Sequence, residues 1–331
     1  MSSKKLPLSG HVEIAVLCGA VSPERDVSLR SGKAVAEALE KRHAGRVKLH
    51  QLEANLLPDG LDPARHVIFP VIHGDYGEDG GIQGELDARG FAYVGCGAEA
   101  SRICINKAAA KQRFRQAGVA VAAGFAFNVA VAGKEEGGVP AKPSPEEIFA
   151  ALGSDDIVLK PVDKGSSVGL HFLCGAAAVA SALAGLPAGR WLAEARETGR
   201  EMTVGILNGK ALGIVEIRPA GGRYDYSTKY TAGASEYIYP APVAPEIATA
   251  AAAEAERIFQ ACGCRDFARP DFILRPDGSR IFLEINTMPG MTATSLFPKS
   301  ASCQGLDFET LCERMVQPAL ARFAVSGAAR G

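Results

Sequence analysis

Leu283-Glu284-Ile285-Asn286-Thr287-Met288-Pro289-Gly290-Met291-Thr292 (LEINTMPGMT, 283–292) continues an apolar run, IFLEIN (281–286), that alternates like a half-buried strand. Glu284 and Asn286 are two residues apart, so on a strand their side chains point to one face. Two oxygen donors on one face suit a hard divalent cation. The same pair also suits a solvated edge strand.

Just upstream, ARPDFILRPDGSRIFLEIN (268–286) reads as two strands turning at Asp277-Gly278. Arg269 and Asp271 alternate on one face of the first strand. If that face coincides with the face of Glu284 and Asn286, one patch carries two carboxylates, a carboxamide and a guanidinium. Such a patch suits two Mg²⁺ ions bridging phosphate oxygens, with an arginine beside the developing charge. An exposed, salt-bridged hairpin is the alternative; the apolar neighbours Phe272, Ile273, Leu274, Ile281, Phe282 and Leu283 favour burial.

Outward from this hairpin, the first hundred residues alternate strands with helices. HVEIAVLCG (11–19), RVKLHQLE (46–53) and HVIFPVIHG (66–74) read as strands. SLRSGKAVAEALEKR (28–42) and GGIQGELDARG (80–90) read as helices, the second closed by Gly90. This alternation predicts a parallel α/β sheet. From NKAAAKQRFRQAG (106–118) the texture changes. DIVLKPVDKGSSVGLHFL (156–173) is a strand, a glycine-serine loop and a second strand, and GAAAVASALAG (175–185) a helix. A third block starts near Trp191, with WLAEARE (191–197) and EMTVGILNGKALGIVEIRP (201–219) turning at Asn208-Gly209. A polar loop (219–240) and an Ala/Glu-rich helix (244–262) follow.

With 331 residues the chain has room for two or three domains. Its 36 Lys+Arg against 37 Asp+Glu imply no basic face, which argues against a nucleic-acid partner held by phosphate contacts. No apolar run approaches the roughly 18–20 residues of a membrane span, and MSSKKLPLSGHVEIAVLCG (1–19) lacks the pattern of a secretory signal. Eight scattered cysteines without a CxxC read as reduced thiols of a cytoplasmic protein, although Cys262-Gly-Cys264 could bind a soft metal.

KGSSVG (164–169) sits between two strands, where its glycines free the backbone and its amides and hydroxyls can cradle phosphate. It is neither GxxxxGK[ST] nor GxGxxG, and a plain hairpin turn is the competing reading. Lys160 ends the apolar strand DIVLK, where a bare charge needs a partner. It is a phosphate ligand or an ordinary surface lysine.

Taken together, SPERDVSLRSG (22–32), HGDYGEDGGIQG (73–84), NKAAAK (106–111), LKPVDKGSSVG (159–169), YDYSTKY (224–230), ARPDF (268–272) and LEINTMPGMTATSL (283–296) resemble the D-alanine–D-alanine ligases of the ATP-grasp superfamily, in the family's order and spacing. The resemblance implies a three-domain α/β fold: an N-terminal parallel-sheet domain (1–103), a central subdomain (104–189) and a C-terminal subdomain (190–331) carrying the metals and a mobile loop (219–240). ATP would lie between the last two. It further implies that ATP phosphorylates the carboxylate of one D-alanine and that the amine of a second attacks the acyl phosphate, for peptidoglycan precursor synthesis. A carboxylate is a poor electrophile until its oxygen becomes a phosphate leaving group, so the chemistry calls for metals and cations.

Carried over to this chain, the family pattern implies that Glu24 holds the ammonium of the first D-alanine. Lys107, Lys160, Ser166 and Ser167 would grip the ATP phosphates, and Lys229 the γ-phosphate. Glu194 would receive the adenine amino group, the main chain of Ala195 and Glu197 would line the adenine slot, and Glu201 would bond the ribose. Asp271, Glu284 and Asn286 would ligate two Mg²⁺, with Mn²⁺ a possible substitute. Arg269 and the Gly290 amide would stabilise the tetrahedral oxyanion. Ser295 and the Leu296 amide would receive the second substrate's carboxylate, with His73 nearby. Glu24, Ser166 and Tyr230 match a hydrogen-bonded trio that crosses the closed site. A homodimer is the family's common state.

Two departures stand out. Pro270 replaces the usual β-branched residue between arginine and aspartate, which predicts an edge or a bulge there. Ala195-Arg196 replaces Lys-Trp after the adenine-binding glutamate. The YDYSTKY loop resembles dipeptide-forming members and favours an amine nucleophile. The competing functions are an ATP-grasp ligase with another second amino acid, such as D-serine, and a nucleotide-binding protein that has lost catalysis.

Overall fold

The structure, a computed structural model, describes residues 12–130, 142–165, 168–219 and 235–328. Its first sheet has the order β2-β1-β3-β4, built from β1 (Glu13–Gly19), β2 (Val47–Leu52), β3 (His66–Pro70) and β4 (Ala92–Tyr93), all parallel. Between the strands run α1 (Arg25–Glu40), α2 (Asp75–Glu78) and α3 (Gly81–Ala88). Strand β1 is apolar without interruption from Ile14 to Cys18 because both faces are covered. Ile14 and Val16 pack with Val35 and Leu39 of α1, whereas Ala15 and Leu17 pack with Ile82 and Leu86 of α3. Gly32 lets α1 lie on β1; a Cβ there would sit 2.4 Å from Cys18 Cβ. Buried Ser28 ties the strand ends, accepting from Gly19 N–H (2.8 Å) and donating to Val71 C=O (2.5 Å).

After α4 (Ala98–Ile105) and α5 (Lys107–Gln116), β5 (Gly124–Val129) opens an antiparallel sheet of order β5-β8-β6-β7 with β6 (Asp156–Pro161), β7 (His171–Cys174) and β8 (Gly189–Ala195). Helices α6 (Pro145–Leu152) and α7 (Ala176–Gly185) pack on it through Ile148, Leu152, Val179 and Leu183. Ser144 and Glu147 form a reciprocal capping box at the start of α6. Strand β8, which the sequence reading puts at the head of the third block, hydrogen-bonds β5 and β6 and so belongs to this second sheet.

The third sheet is antiparallel, β11-β10-β9-β12-β13, from β9 (Arg200–Leu207), β10 (Lys210–Pro219), β11 (Ser235–Ile238), β12 (Phe267–Leu274) and β13 (Arg280–Asn286). Asn208 (φ 52°) and Gly209 (φ 75°) both take positive φ, the two-residue turn expected of Asn-Gly. Residues 235–238, predicted as loop, instead form β11 against β10; residues 220–234 of that predicted loop lie outside the described residues. The edge expected at Pro270 is not there, since β12 runs between β9 and β13. The bulge is: pairing with β13 shifts register between Asp271 and Phe272. Proline's missing N–H is thereby tolerated inside a sheet, and Pro270 C=O lies 3.1 Å from Thr203 Oγ1, whose single proton it shares with Asp271.

Helix α8 (Pro245–Ala261) covers the third sheet, with Ala110 and Phe114 of α5 in the same core as Met202, Phe272 and Ile258. Two further helices, α9 (Leu296–Ser302) and α10 (Phe308–Ala328), follow. The sequence reading identifies neither. Helix α10 crosses back to the first sheet, where Leu311, Met315 and Val316 join the core of Ile14, Val16 and Phe69. Buried Asp266 fastens this return, accepting from Gly95 N–H (2.8 Å) and from both Arg322 guanidinium nitrogens (2.9 and 2.5 Å). Met291 N–H donates to Ser31 Oγ of α1 (3.2 Å), which draws the end of the opening decapeptide to the helix that starts beside Glu24.

Candidate active site

Antiparallel pairing sets Arg269 opposite Asn286 and Asp271 opposite Glu284. Directly opposed residues share a face, so the two faces read separately from the sequence are one. Asp271 is buried, and Arg269 grips it with two hydrogen bonds, Nε–Oδ1 3.0 Å and Nη2–Oδ2 2.9 Å. Thr203, opposite Asp271 on β9, adds a hydroxyl bond to Oδ1 (2.5 Å). Lys107 Nζ lies 3.9 Å from Glu284 Oε2 and donates to Lys164 C=O (2.5 Å). Asn286 Oδ1 accepts from Met288 N–H (2.8 Å).

This patch is the wall between two cavities. One, of about 390 Å³, is lined by Glu24, His73, Lys107, Arg269, Glu284 and Asn286, and closed by Gly290, Ser295 and Leu296. The other, of about 570 Å³, is lined by Lys160, Glu194, Ala195, Glu197, Glu201 and Asp271. Lys107 and Glu284 line both. Lys107 and Glu284, 177 positions apart in sequence, thus converge where two cavities meet. Ser166, Ser167, Lys229 and Tyr230 lie outside the described residues.

In the smaller cavity, His73 Nδ1 stands 3.6 Å from Glu78 Oε1, and both residues are buried. Burial pushes the Glu78 carboxyl above its usual range, and the charge of Glu24 adds to this against His73 and the Gly74 N–H. A Cβ at Gly165 would lie 3.3 Å from Glu78 Oε2, so the second sheet's glycine-serine loop reaches the first unit here. Ser295 Oγ accepts from Thr292 N–H (3.0 Å) and contacts Thr292 Oγ1 (2.8 Å). Position 290 needs a glycine for this arrangement, because a Cβ would stand 2.8 Å from Ser295 Oγ.

In the larger cavity, buried Glu194 binds two lysines: Lys111 through Oε1 and Lys160 through Oε2 (2.7 Å). Burial raises the Glu194 carboxyl, but the two ammonium groups outweigh it and hold the acid at about 2. At Lys111 burial wins over Glu194 and lowers the ammonium to about 8. At Lys160 the attraction of Glu194 overcomes burial and raises it. Glu197 pairs with Arg275 (2.5 Å).

Sequence reasoning missed Lys111, Glu78, Thr203 and Tyr237, which lines the smaller cavity. Lys111 was within reach: it follows Lys107 by four, the spacing of one helix face. Thr203 becomes visible only through its register with Asp271.

The donor chemistry of Asp271, Glu284 and Asn286 fits a hard cation, since three oxygen-bearing groups share one face, with Asp271 buried and the other two partly open. Each is now neutralised or hydrogen-bonded by Arg269, Lys107 or Met288 N–H. Among the described residues, no group of three or more His, Cys, Asp or Glu is assembled to hold a metal, so the third donor of such a site is the carboxamide. Among the same residues, no helix is long and apolar enough to cross a membrane.

Comparison with known proteins finds relatives along nearly the whole chain. Residues 116–317 match the family described as D-ala D-ala ligase C-terminus, and residues 47–96 its N-terminus. The D-alanine–D-alanine ligase of Anaeromyxobacter dehalogenans (strain 2CP-C) is 40% identical over 317 residues, covering 92% of this chain and 96% of that protein. That of Granulibacter bethesdensis is 39% identical over 320 residues, covering 93% and 98%. The crystal structure of the D-alanine–D-alanine ligase from Bacillus anthracis complexed with ATP superposes with a TM-score of 0.79 at 26% identity, covering 96% of this chain and all of that one. With both family regions present and relatives near 40% identity along almost its whole length, the chain belongs to the D-alanine–D-alanine ligase family.

Proposed function

We propose that this chain joins two D-alanine molecules to D-alanyl-D-alanine, with ATP as phosphoryl donor and ADP and phosphate as by-products, for peptidoglycan precursor synthesis. The observation that carries the reading is the meeting of the two cavities at Lys107 and Glu284, beneath the Arg269–Asp271 pair. A nucleotide in the larger cavity would present its terminal phosphate to a small acid in the smaller one. Positioning of this kind supplies most of the catalysis in phosphoryl transfer.

In this reading Glu24 holds the ammonium of the first D-alanine, with His73 near the second. Lys107, Lys160, Ser166, Ser167 and Lys229 draw the phosphates into line. Glu194 receives the adenine amino group, the main chain of Ala195 and Glu197 flanks the ring, and Glu201 takes the ribose. Asp271, Glu284 and Asn286 hold Mg²⁺, or Mn²⁺ in its place; the metal neutralises phosphate charge when bound. Arg269, released from Asp271 as that carboxylate takes up its other role, turns with the Gly290 amide to the oxyanion formed when the second amine attacks. Ser295 and the Leu296 amide seat the second carboxylate. Glu24, Ser166 and Tyr230 act as the hydrogen-bonded trio of the family pattern. The chain divides into three units, expected at 1–103, 104–189 and 190–331; the pairing of β8 with β5 and β6 moves the second boundary to the end of that strand at Ala195, and the 219–240 segment acts as the lid. The protein works as a cytoplasmic homodimer, independent of membranes and nucleic acid.

Phosphate release with ATP and a panel of D-amino acids tests the reading. D-alanine should give the highest kcat/KM in both positions. Equal or better turnover with D-serine as second substrate would overturn the assignment, and no release with any pair would overturn the activity itself.

A further inference from the structure

Glu194 is held from two sides that differ in what they touch. Lys160 on β6 lines the larger cavity, whereas Lys111 on α5 is not among the described residues lining it. Lys160 takes Oε2 and Lys111 takes Oε1 of the same carboxylate. Lys111 is 2% exposed, and besides Glu194 the charged groups that act on it are Lys160 and Glu284. One cation thus faces the ligand and the other is walled off from it. We propose that Lys111 is a positioning residue for nucleotide binding: it stays on Glu194 when a nucleotide phosphate draws Lys160 away, keeping that buried carboxylate charged and correctly aimed.

This rests on the nucleotide reading of the larger cavity given above. An incoming triphosphate competes with Glu194 for Lys160, the only one of the two cations within its reach. If Lys160 were the sole partner, its departure would strand a carboxylate that is 3% exposed, and removing one partner of a buried pair is strongly unfavourable. A second cation behind the carboxylate removes that obstacle. The burial of Lys111 costs solvation, which is why burial dominates over attraction there, and a lysine kept at such a cost with no path to a ligand acts through the residue it holds. The NKAAAK helix carries both jobs four residues apart, with Lys107 facing the cavities and Lys111 the carboxylate.

The test compares steady-state ATP kinetics of full-length Lys111→Met, Lys111→Arg, Glu194→Gln and the Lys111→Met/Glu194→Gln double variant. Loss of one partner of a buried charged pair should raise the ATP KM of Lys111→Met at least ~tenfold, with kcat at saturating ATP within ~threefold of the parent. Lys111→Arg, which restores the charge, should return KM to within ~threefold. The double variant contains no stranded carboxylate, and the cation it leaves, Lys160, borders the larger cavity, so it should fold even where Lys111→Met does not. Its KM should match that of Glu194→Gln within ~threefold, because Lys111 acts only through Glu194. A further ~tenfold rise in the double variant, an unchanged KM in Lys111→Met, or failure of arginine to rescue overturns this inference alone. An unchanged KM in Glu194→Gln overturns it together with the nucleotide role of Glu194.

Discussion

Arg269 and Asp271, two residues apart on β12, are locked together by two hydrogen bonds of 3.0 and 2.9 Å on the face they share with Glu284 and Asn286. The pairing reconciles two roles that read as independent in the sequence. An acidic patch assembled for a divalent ion is unfavourable before the ion arrives, and the guanidinium holds the carboxylate in the meantime. Pro270 between them faces the other side of the strand, and the regular pairing of residues 269–271 with 284–286 keeps both side chains on one face.

Removing the guanidinium should therefore affect folding as well as chemistry. Arg269→Met leaves Asp271 buried with only the Thr203 hydroxyl, at a cost of roughly 3 kcal/mol. The Arg269→Met/Asp271→Asn double variant should recover most of that stability while remaining inactive. Urea denaturation monitored by circular dichroism, alongside phosphate release, checks both halves. Equal stability of Arg269→Met and the parent would show that the pair is not carrying Asp271.

Much of this architecture is legible in the residue pattern. Parallel strands announce themselves by uninterrupted apolar runs such as IAVLC (14–18), and the Asn208-Gly209 hairpin by its turn chemistry. What is not legible is which distant elements meet. Strand β8 is readable as a strand, but nothing in its residues says that it pairs with β6 rather than β9. Pro318 lies within α10 and interrupts a helical reading of the C-terminal segment, although the helix persists by packing on the first sheet. Lys111 sits at a readable spacing from Lys107, yet Glu194 is 83 residues away and no local signal joins them. Local pattern specifies elements; long-range burial chooses their partners.

The clamp that returns α10 to the first sheet makes a second stability prediction. Asp266 is buried and holds Arg322, whose Nη2 also donates to Tyr93 C=O (2.7 Å). Arg322→Met should destabilise the chain by about 3 kcal/mol, since it strands a carboxylate that sits between β4 and α10. Asp266→Asn in the same background should return part of the loss. Native-state hydrogen exchange should show α10 amides losing protection first in Arg322→Met; uniform loss across all helices would contradict a local clamp.

Acid should act through Glu194. Its carboxyl lies at about 2 in the fold against an ordinary 4.5. A depressed acid contributes stability that is fully present above pH 4.5 and lost as pH falls toward 2. The size is of order 3 kcal/mol, 2.5 pK steps at 1.36 kcal/mol each. Glu194→Gln should be less stable than the parent at pH 6, and the gap should narrow steadily on acidification through this window. Denaturation midpoints at pH 6, 4.5 and 3 supply the measurement. A gap that stays constant with pH would assign the difference to packing rather than charge.

All eight cysteines are free thiols, and they divide sharply by access. Cys174, at the end of β7, is exposed, whereas Cys18, Cys96, Cys104, Cys262 and Cys312 are buried. Burial also pushes the Cys18 thiol up to about 11, so little nucleophilic thiolate exists there near neutral pH. Cys264 and Cys303 are half-buried and raised as well, Cys264 mainly by its contact with Cys104 (Sγ–Sγ 3.6 Å). Titration of the native protein with a chromogenic disulfide at pH 7.5 should show one fast thiol and further colour only over much longer times or after denaturant. Cys174→Ser should abolish the fast phase and leave phosphate release unchanged, because that residue lines neither cavity. A fast phase that survives this substitution would mean that a second thiol is far more open than its burial in this fold allows.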